Sequence, residues 1–256
     1  MHLIQRLMLL EKRHYPFRRW PKGHSAALLF PGCNFPGQYP KTMAYLEDLC
    51  RARGVGVAYD CCGKPLGDAR DEAGAAHSLA ALEKRLKALG VERVYTLCPN
   101  CAAYLAPRLS VPVKSVYELL KEWGWSSHAV PPEGVVFRPC PDRKEGTWLR
   151  EAGALLSLDG LRGVEKVPCC GLRHEIAAHG PEAGQKLCAL VKEQQSEDTL
   201  FTYCASCSGQ FARHGCAPVR HLLPYLLGVD EAPDCARSFL NRMKSGWFPR
   251  RKGERP

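Results

Sequence analysis

Two copies of one cysteine pattern constrain this chain more than any other feature. Each copy consists of a single Cys, a Cys-Cys-Gly and a Cys-x-x-Cys, and matching cysteines of the two copies lie 106 to 108 residues apart. The ten cysteines, of fourteen in the chain, are Cys33, Cys61, Cys62, Cys98 and Cys101 in the first copy and Cys140, Cys169, Cys170, Cys204 and Cys207 in the second. Cysteines that only fill a core have no reason to keep such spacing. We therefore expect a duplicated domain whose halves each gather five thiolates around a soft metal centre.

The composition fits a globular protein large enough for two half-domains. The chain has 256 residues, of which 45% are apolar and 24% charged. No apolar run approaches the roughly 18 residues that a membrane span requires, and residues 1–10 are too polar for a secretory signal. Adjacent cysteines in such a chain indicate metal or redox chemistry rather than a disulfide framework. We expect a cytoplasmic protein.

Short apolar strands alternate with helices in both halves, which indicates parallel sheets with helical crossovers. The predicted fold class is α/β, with two tandem pseudo-symmetric three-layer half-domains, short parallel sheets and cysteines at the strand carboxyl ends. The expected strands are 25–30, 56–59, 93–97 and 111–113 in the first half and 135–138, 164–167, 200–203 and 217–220 in the second. We divide the chain into an N-terminal amphipathic, basic extension (1–24), two half-domains (25–130 and 131–229) and a basic C-terminal tail (230–256).

The expected sheets explain the positions of the cysteines. In an open parallel sheet, ligands bind outside the carboxyl ends of the strands, and all three cysteine segments of each half lie there. Two adjacent cysteines of a strand would point to opposite faces, so the backbone must turn at the Cys-Cys pairs, as Gly63 and Gly171 permit. The Cys-x-x-Cys segments open helices, whose N-termini stabilise thiolates.

The net charge of +10 indicates anionic partners, and much of it lies near the two ends of the chain. The favoured interpretation is solvated termini with solubilising charge, and a surface that docks another subunit is the alternative. Nucleic acid is disfavoured as a partner because no nucleic-acid-binding motif accompanies the charge. The basic residues are Lys12, Arg13, Arg18, Arg19 and Lys22, interleaved with Tyr15, Phe17 and Trp20, and then Lys244, Arg250, Arg251, Lys252 and Arg255.

The cysteine pattern resembles the cysteine-rich CCG domain found in heterodisulfide reductase and its relatives. The resemblance covers residues 25–228, with 27 residues between Cys33 and Cys61 and 28 between Cys140 and Cys169. It implies that the five cysteines of each copy hold one [4Fe-4S] cluster, which is noncubane in the best-understood relative. It also implies that the paired clusters cleave a disulfide.

The donor set by itself leaves the metal open. A cubane cluster or a zinc ion needs only four thiolates, so the fifth is a spare ligand or belongs to an open geometry. We keep three possible functions: reduction of a thiol/disulfide substrate, electron relay in a dehydrogenase or quinone-linked complex, and a zinc-stabilised scaffold without redox chemistry. The alternative cofactor is zinc at one of the two sites. The sequence has neither a ferredoxin-type cysteine run nor a Gly-x-Gly-x-x-Gly motif. A redox role would therefore require a ferredoxin-type or flavin-containing electron-donor subunit.

Three ionisable residues mark the second copy as the expected place of substrate chemistry. Arg173 and His174 follow the second Cys-Cys-Gly, and His221 follows the last strand. A thiolate released by disulfide cleavage needs a proton or a cation, so we name these residues as catalytic candidates. A structural role is the alternative for each. The first copy has Lys64 and Ser115 at the corresponding places, and we expect it to relay electrons.

Overall fold

The structure is a computed structural model that describes residues 3–248, with side chains from residue 9 onward. The predictions made for the basic residues Arg250, Arg251, Lys252 and Arg255 lie outside the described residues. The chain begins with helix α1 (Leu3–His14), as the amphipathic pattern of the extension predicted. None of the described helices is both long and apolar enough to cross a membrane.

The first half is a four-stranded parallel sheet in the order β2-β1-β3-β4. Its two central strands are formed by runs of mostly apolar residues, because helices cover both faces of such a sheet. The strands are β1 (Ala27–Phe30), β2 (Gly56–Val57), β3 (Arg93–Thr96) and β4 (Val113–Ser115). The helices are α2 (Phe35–Gln38), α3 (Pro40–Ala52), α4 (Lys64–Asp68), α5 (Glu72–Ala88), α6 (Pro99–Leu105) and α7 (Val116–Glu122).

The second half repeats this topology, with the order β6-β5-β7-β8. Its strands are β5 (Gly134–Phe137), β6 (Leu161–Gly163), β7 (Leu200–Thr202) and β8 (Val219–His221). Its helices are α8 (Thr147–Gly153), α9 (His174–Ala177), α10 (Pro181–Gln195), α11 (Ala205–Arg213) and α12 (Leu222–Leu226), and a 3₁₀ turn spans Cys140–Asp142. The predicted fold class, two α/β half-domains with short parallel sheets, is therefore confirmed.

One predicted strand is wrong. Residues 164–167 were expected to form the strand before the second Cys-Cys pair, but β6 ends at Gly163. Val164 still donates its N–H to the Val136 carbonyl at 3.0 Å, and then the chain leaves the sheet. Lys166 has a φ of 55°, a left-handed conformation that a regular strand does not contain. Residues 164–167 contain only two apolar side chains, Val164 and Val167, and the backbone turns between them.

The two halves share one apolar core. A single cluster of buried residues includes Leu29 and Tyr95 from the first sheet and Val136 and Phe201 from the second. Each sheet also has a smaller apolar cluster on the face that points away from this shared core, and that cluster lies within a single half. The shared core brings the two sheets together and fixes how their edges face each other.

The two ends of the chain pack against the first half. Helix α13 (Ser238–Trp247) contacts α2, and its Gly246 approaches the backbone of Phe17 so closely that an added Cβ would lie 2.4 Å from the Phe17 carbonyl oxygen. Tyr15, Phe17 and Lys12 are buried. The interpretation of the two ends as solvated is therefore wrong for these three residues. The rings of Tyr15 and Phe17 fill a space between α1 and α13.

Candidate metal centre

The five thiols of the first copy form a continuous row of contacts. Cys33 hydrogen-bonds to Cys61, and Cys61 to its neighbour Cys62. Cys62 then contacts Cys101, which contacts Cys98. Residues from three loops, distant in sequence, thus converge at one edge of the first sheet.

The second copy forms the equivalent row in the same order. Cys140 contacts Cys169, and Cys169 contacts Cys170. Cys170 contacts Cys207, which contacts Cys204. Matching cysteines therefore occupy matching places in the two halves.

The two rows meet at Cys98 and Cys204, which hydrogen-bond to each other. These two residues are equivalent in the repeat. Asn100 Nδ2 lies 3.7 Å from the Cys204 sulfur, and Asn34 Nδ2 donates to Ser206 Oγ at 2.6 Å across the same junction. All ten pattern cysteines thus form one connected series of pairwise contacts, which we call the thiol row, from Cys33 at its first end to Cys140 at its second end.

Backbone geometry explains how adjacent cysteines reach the same row. Gly63 and Gly171 have φ values of 84° and 92°, which turn the chain directly after each Cys-Cys pair. The Gly171 N–H donates to the Cys169 sulfur at 3.2 Å. Cys98 and Cys204 are the N-cap residues of α6 and α11, so free backbone N–H groups and the positive ends of the helix dipoles face the junction.

Thiol contacts divide the row into thiolate acceptors and protonated donors. Hydrogen bonds from Cys101 and then Cys61 lower the pKa of Cys62 to about 5. Hydrogen bonds from Cys207 and then Cys98 hold the pKa of Cys204 well below its usual value. Hydrogen bonds from Cys140 and then Cys170 likewise hold the pKa of Cys169 far below its usual range. Both halves can therefore present thiolates, the form of cysteine that binds metals.

The donor chemistry fits a metal or a metal cluster. Ten thiols lie together, all fourteen cysteines are free, and thiolates select zinc, copper(I) and iron–sulfur clusters. The thiols contact one another in successive pairs. Within residues 3–248 no group of three or more His, Cys, Asp or Glu side chains surrounds one point as the ligands of a single metal ion do.

Two cations near the first end of the row were missed by the sequence analysis as site residues. The charges of Lys12 and Arg242 both act on the Cys33 thiol. Burial alone would lower the pKa of Lys12, but Cys33, Cys61 and Glu11 outweigh burial and raise it. The cysteine motifs could not reveal these cations, because α1 and α13 lie outside the repeat. Only the interleaving of basic and aromatic residues near Lys12 signalled that this segment packs against something.

Arg173, His174 and Lys64 lie beside the Cys-Cys pairs. The Arg173 N–H donates to Cys169, while its side chain, 54% exposed, pairs with Glu175 at 3.3 Å. His174 is exposed and is the first residue of α9. Lys64 pairs with Asp68, and its N–H donates to Cys62. The catalytic roles of Arg173 and His174 stay predictions.

His221 lies inside the molecule rather than at its surface. It is 1% exposed and packs edge-on against Phe35 and Tyr39. Its Nδ1 accepts the Leu223 N–H at 3.1 Å and so caps α12, which leaves the proton of the neutral ring on Nε2. Nε2 has no hydrogen-bond partner, and Cys204 is the charged group that acts on the ring. Its first-half counterpart, Ser115, caps α7 in the same way.

The four cysteines outside the pattern take no part in the row, although the Cys188 thiol donates to the Cys170 carbonyl at 3.6 Å. Cys50 is fully buried in α3, and burial raises its pKa to about 12. Cys188 and Cys216 lie in the core of the second half, where the Cys216 thiol donates to the Cys188 carbonyl at 3.8 Å. Cys235 is half-buried and lies 3.5 Å from Gln38 Oε1. These placements agree with packing roles.

Part of the first half is similar to a known protein domain. Residues 27–106, which contain strands β1 to β3 and the five pattern cysteines of the first half, match the family model of the cysteine-rich CCG domain. The second half carries the same cysteine pattern on the same strand order. No curated protein matches the sequence.

Some solved structures show a weak overall likeness. A glutamate racemase isoform from Bacillus anthracis is 13% identical, with 80% of this chain and 79% of that chain covered and a TM-score of 0.38. An aspartate racemase from Picrophilus torridus is 12% identical, with 80% and 91% covered and a TM-score of 0.37. Scores this low support no inference about this chain.

Proposed function

We propose that this protein is an iron–sulfur redox subunit that carries two clusters and reduces a disulfide as part of a heterodisulfide-reductase-like complex. The observation that carries the proposal is the thiol row, in which two equivalent sets of five cysteines meet end to end. A packing role explains neither the pairing nor the repeat. A cluster of several irons binds each thiolate to its own iron, so it suits donors in a row better than a single zinc ion does.

Each half supplies the ligands of one cluster in this proposal. Cys33, Cys61, Cys62, Cys98 and Cys101 hold the first, and Cys140, Cys169, Cys170, Cys204 and Cys207 the second. When bound, the clusters supply electrons to the substrate one at a time. The CCG domain of residues 27–106 supports the first set directly, and the matching sheet supports the second.

The protein's own side chains supply charge and protons at the second end of the row. Reduction of a disulfide consumes two electrons and two protons and yields two thiols. Arg173 is exposed beside Cys169 and can hold a released thiolate, and His174, next in sequence and exposed, can supply a proton. His221 is buried, with no hydrogen-bond partner at Nε2, so in this proposal its Nε2 proton stabilises negative charge inside the protein rather than moving to a substrate.

The electrons come from another polypeptide, a ferredoxin-type or flavin-containing subunit, because the sequence has no motif for either cofactor. We place the protein in the cytoplasm, where free thiols persist. The contact between Cys98 and Cys204 also favours a second candidate, electron relay from one cluster to the other without a disulfide substrate.

Metal analysis of anaerobically purified protein tests the proposal. We expect the molar ratio of iron, and of acid-labile sulfide, to protein to exceed the content of a single cluster. Substituting Cys61→Ser and, separately, Cys169→Ser should each remove the metal of one half and leave that of the other, while Cys50→Ser, outside the row, should remove none. Zinc without iron or sulfide would overturn both redox functions and leave a scaffold.

Turnover with an artificial electron donor and a small-molecule disulfide distinguishes reduction from relay. Disulfide reduction should be measurable, and His174→Ala should slow it at least several-fold at unchanged metal content, since general acid catalysis contributes about 10²- to 10⁴-fold. Lys64→Ala, the matched change beside the first Cys-Cys pair, should have little effect. A larger loss with Lys64→Ala would reverse the assignment of the two ends. No disulfide turnover in the metal-loaded wild type would favour relay.

A further inference from the structure

A compact group of charges lies at the first end of the thiol row, where the two ends of the chain meet. Lys12 of α1 is 9% exposed, and the side chain of Arg242 of α13 is 13% exposed. Both bind the same carboxylate, Glu11: Lys12 Nζ lies 2.9 Å from Oε1, and Arg242 Nη1 contacts the same oxygen. The Arg242 guanidinium also lies over the Phe17 ring at 5.0 Å. Two cations thus share one anion away from water.

This group is short of one negative charge. Asp60 is the other buried carboxylate nearby, but it already binds Arg18 at 2.8 Å and Arg85 at 3.4 Å. Arg242 Nε is buried and has no hydrogen-bond partner. Two buried cations that share one carboxylate leave one positive charge unbalanced, which is costly, so a further anion would stabilise this group.

The sulfurs of the first end are the groups placed to supply that anion. Cys61 and Cys33 belong to the same packed cluster as Tyr15 and Phe17, the residues that line the space between α1 and α13. The positive charges of Lys12 and Arg242 both act on Cys33. Metal-bound thiolates at Cys33 and Cys61 would balance the charge.

The second end of the row has a different environment. The cations that act on Cys140 and Cys169 are Arg143 and Arg173. Arg173 is 54% exposed and paired with Glu175. Arg143 is half-buried and donates to the Arg138 carbonyl at 2.7 Å, and its Nε, like that of Arg242, is buried without a hydrogen-bond partner. Of the lysines whose side chains the structure describes, Lys12 alone is buried. Water and salt screen the exposed Arg173, so it stabilises added negative charge less than a buried cation such as Lys12 does.

We infer that Lys12 and Arg242 form a cationic cap on the first end of the thiol row, and that this cap makes the first cluster easier to reduce than it would be without these two buried charges. One electron added to a cluster adds one negative charge, which a fixed buried cation stabilises. The inference rests on the proposed function, and it makes the helices at both ends of the chain part of the redox site. Lys12 and Arg242 act as positioning residues, through their charge on the cysteine ligands.

A redox titration of the loaded full-length protein with dithionite, followed by absorbance and electron paramagnetic resonance, tests the cap. The signal of the first cluster is assigned by its loss in Cys33→Ser. Lys12→Met, which removes the charge and keeps the length, should lower the midpoint of the first cluster by about 59 mV or more, tenfold in a one-electron equilibrium. The second midpoint should not move. Lys244→Met on the exposed side of α13 removes the same charge and should move neither.

Two further variants keep the test decisive if the Lys12→Met protein does not bind its first cluster. Lys12→Arg should then restore loading, because it retains the charge, and Arg242→Gln should lower the first midpoint in the same direction. Unchanged midpoints in loaded Lys12→Met or Arg242→Gln would overturn the inference. Loss of loading in all three variants, Lys12→Arg included, would also overturn it, because packing alone would then explain the residues. Metal content is measured first, so a wild type without iron is recognised as a failure of the proposed function itself.

Discussion

The sequence located His221 at the last strand of the second half, but it did not reveal that the side chain is buried, and burial changes which roles the residue can have. Its position after the last strand of the second half was read from the repeat, and the structure has it there at the end of β8. The sequence could not reveal that Phe35 and Tyr39, residues of the other half, would cover the ring. Nor could it reveal the use of Nδ1 as a helix cap, since that depends on the ring rotamer. Its role in the chemistry stays a prediction.

The pKa of His221 predicts a pH-dependent stability. Burial lowers this pKa from its ordinary value of 6.5 to about 3. Between these values the unfolded chain binds a proton that the folded chain does not, so the free energy of unfolding should fall as the pH drops from 6.5 towards 3. The slope from this residue is at most about 1.4 kcal/mol per pH unit.

His221→Asn isolates that contribution, because asparagine retains an acceptor for the α12 cap and does not titrate. Urea unfolding of wild type and variant at several pH values between 4 and 7 measures it. The difference in unfolding free energy between the two proteins should shrink as the pH falls. A constant difference across this range would mean that His221 is not buried in its neutral form.

At the scale of elements, the cysteine loops depend on two glycines whose surroundings differ. The sequence predicted a backbone turn after each Cys-Cys pair, and positive φ values at Gly63 and Gly171 bear this out. It did not predict what the turns pack against. A Cβ on Gly171 would lie 2.6 Å from the Gly184 Cα of α10, whereas a Cβ on Gly63 would lie 3.1 Å from the Ser78 Cβ of α5. Such approaches depend on helix positions that no local pattern encodes.

Gly171→Ala should therefore damage its half more than Gly63→Ala damages the other. Both changes strain the backbone by about 1–2 kcal/mol, but only the first drives a methyl group into backbone atoms that cannot move aside. We expect Gly171→Ala to lose the metal of the second half while retaining that of the first, and Gly63→Ala to retain most of both. Metal content and thermal stability measure the result. Gly163→Ala, with open space around its Cβ and no positive φ, is the matched control. Full metal content and unchanged stability in Gly171→Ala would contradict the packing described here.

At the scale of the molecule, the sequence predicted the duplication but did not predict how the two halves pack against each other. The offsets of matching cysteines predicted two similar units, and the two sheets have the same strand order. Apolar residues on strands and helices predicted burial, but burial against a partner half looks the same in sequence as burial within one half. The contact of Cys98 with Cys204 arises from that arrangement. The packing of α13 on the first half arises likewise from contacts over about two hundred residues of separation, such as the hydrogen bond from Asn241 Nδ2 to the Gly37 carbonyl.

Because one core spans both halves, the protein should unfold as a single unit. Leu46 on α3 and Leu223 on α12 are both fully buried in that shared cluster, one from each half. Truncating either to alanine should cost roughly 2–5 kcal/mol, as large-to-small changes in cores do. Thermal melts of metal-loaded protein, followed by far-UV circular dichroism and by tryptophan fluorescence, should show one coincident transition that each variant lowers by several degrees.

Leu82→Ala, in the cluster confined to the first half, should shift that same transition, since coupling through the shared core leaves neither half able to melt alone. If Leu82→Ala instead produced a second, earlier transition while the remaining one kept the wild-type midpoint, the halves would be independent. The thiol row would then depend on a weak contact between two separate domains, and electron exchange across Cys98 and Cys204 would need another explanation.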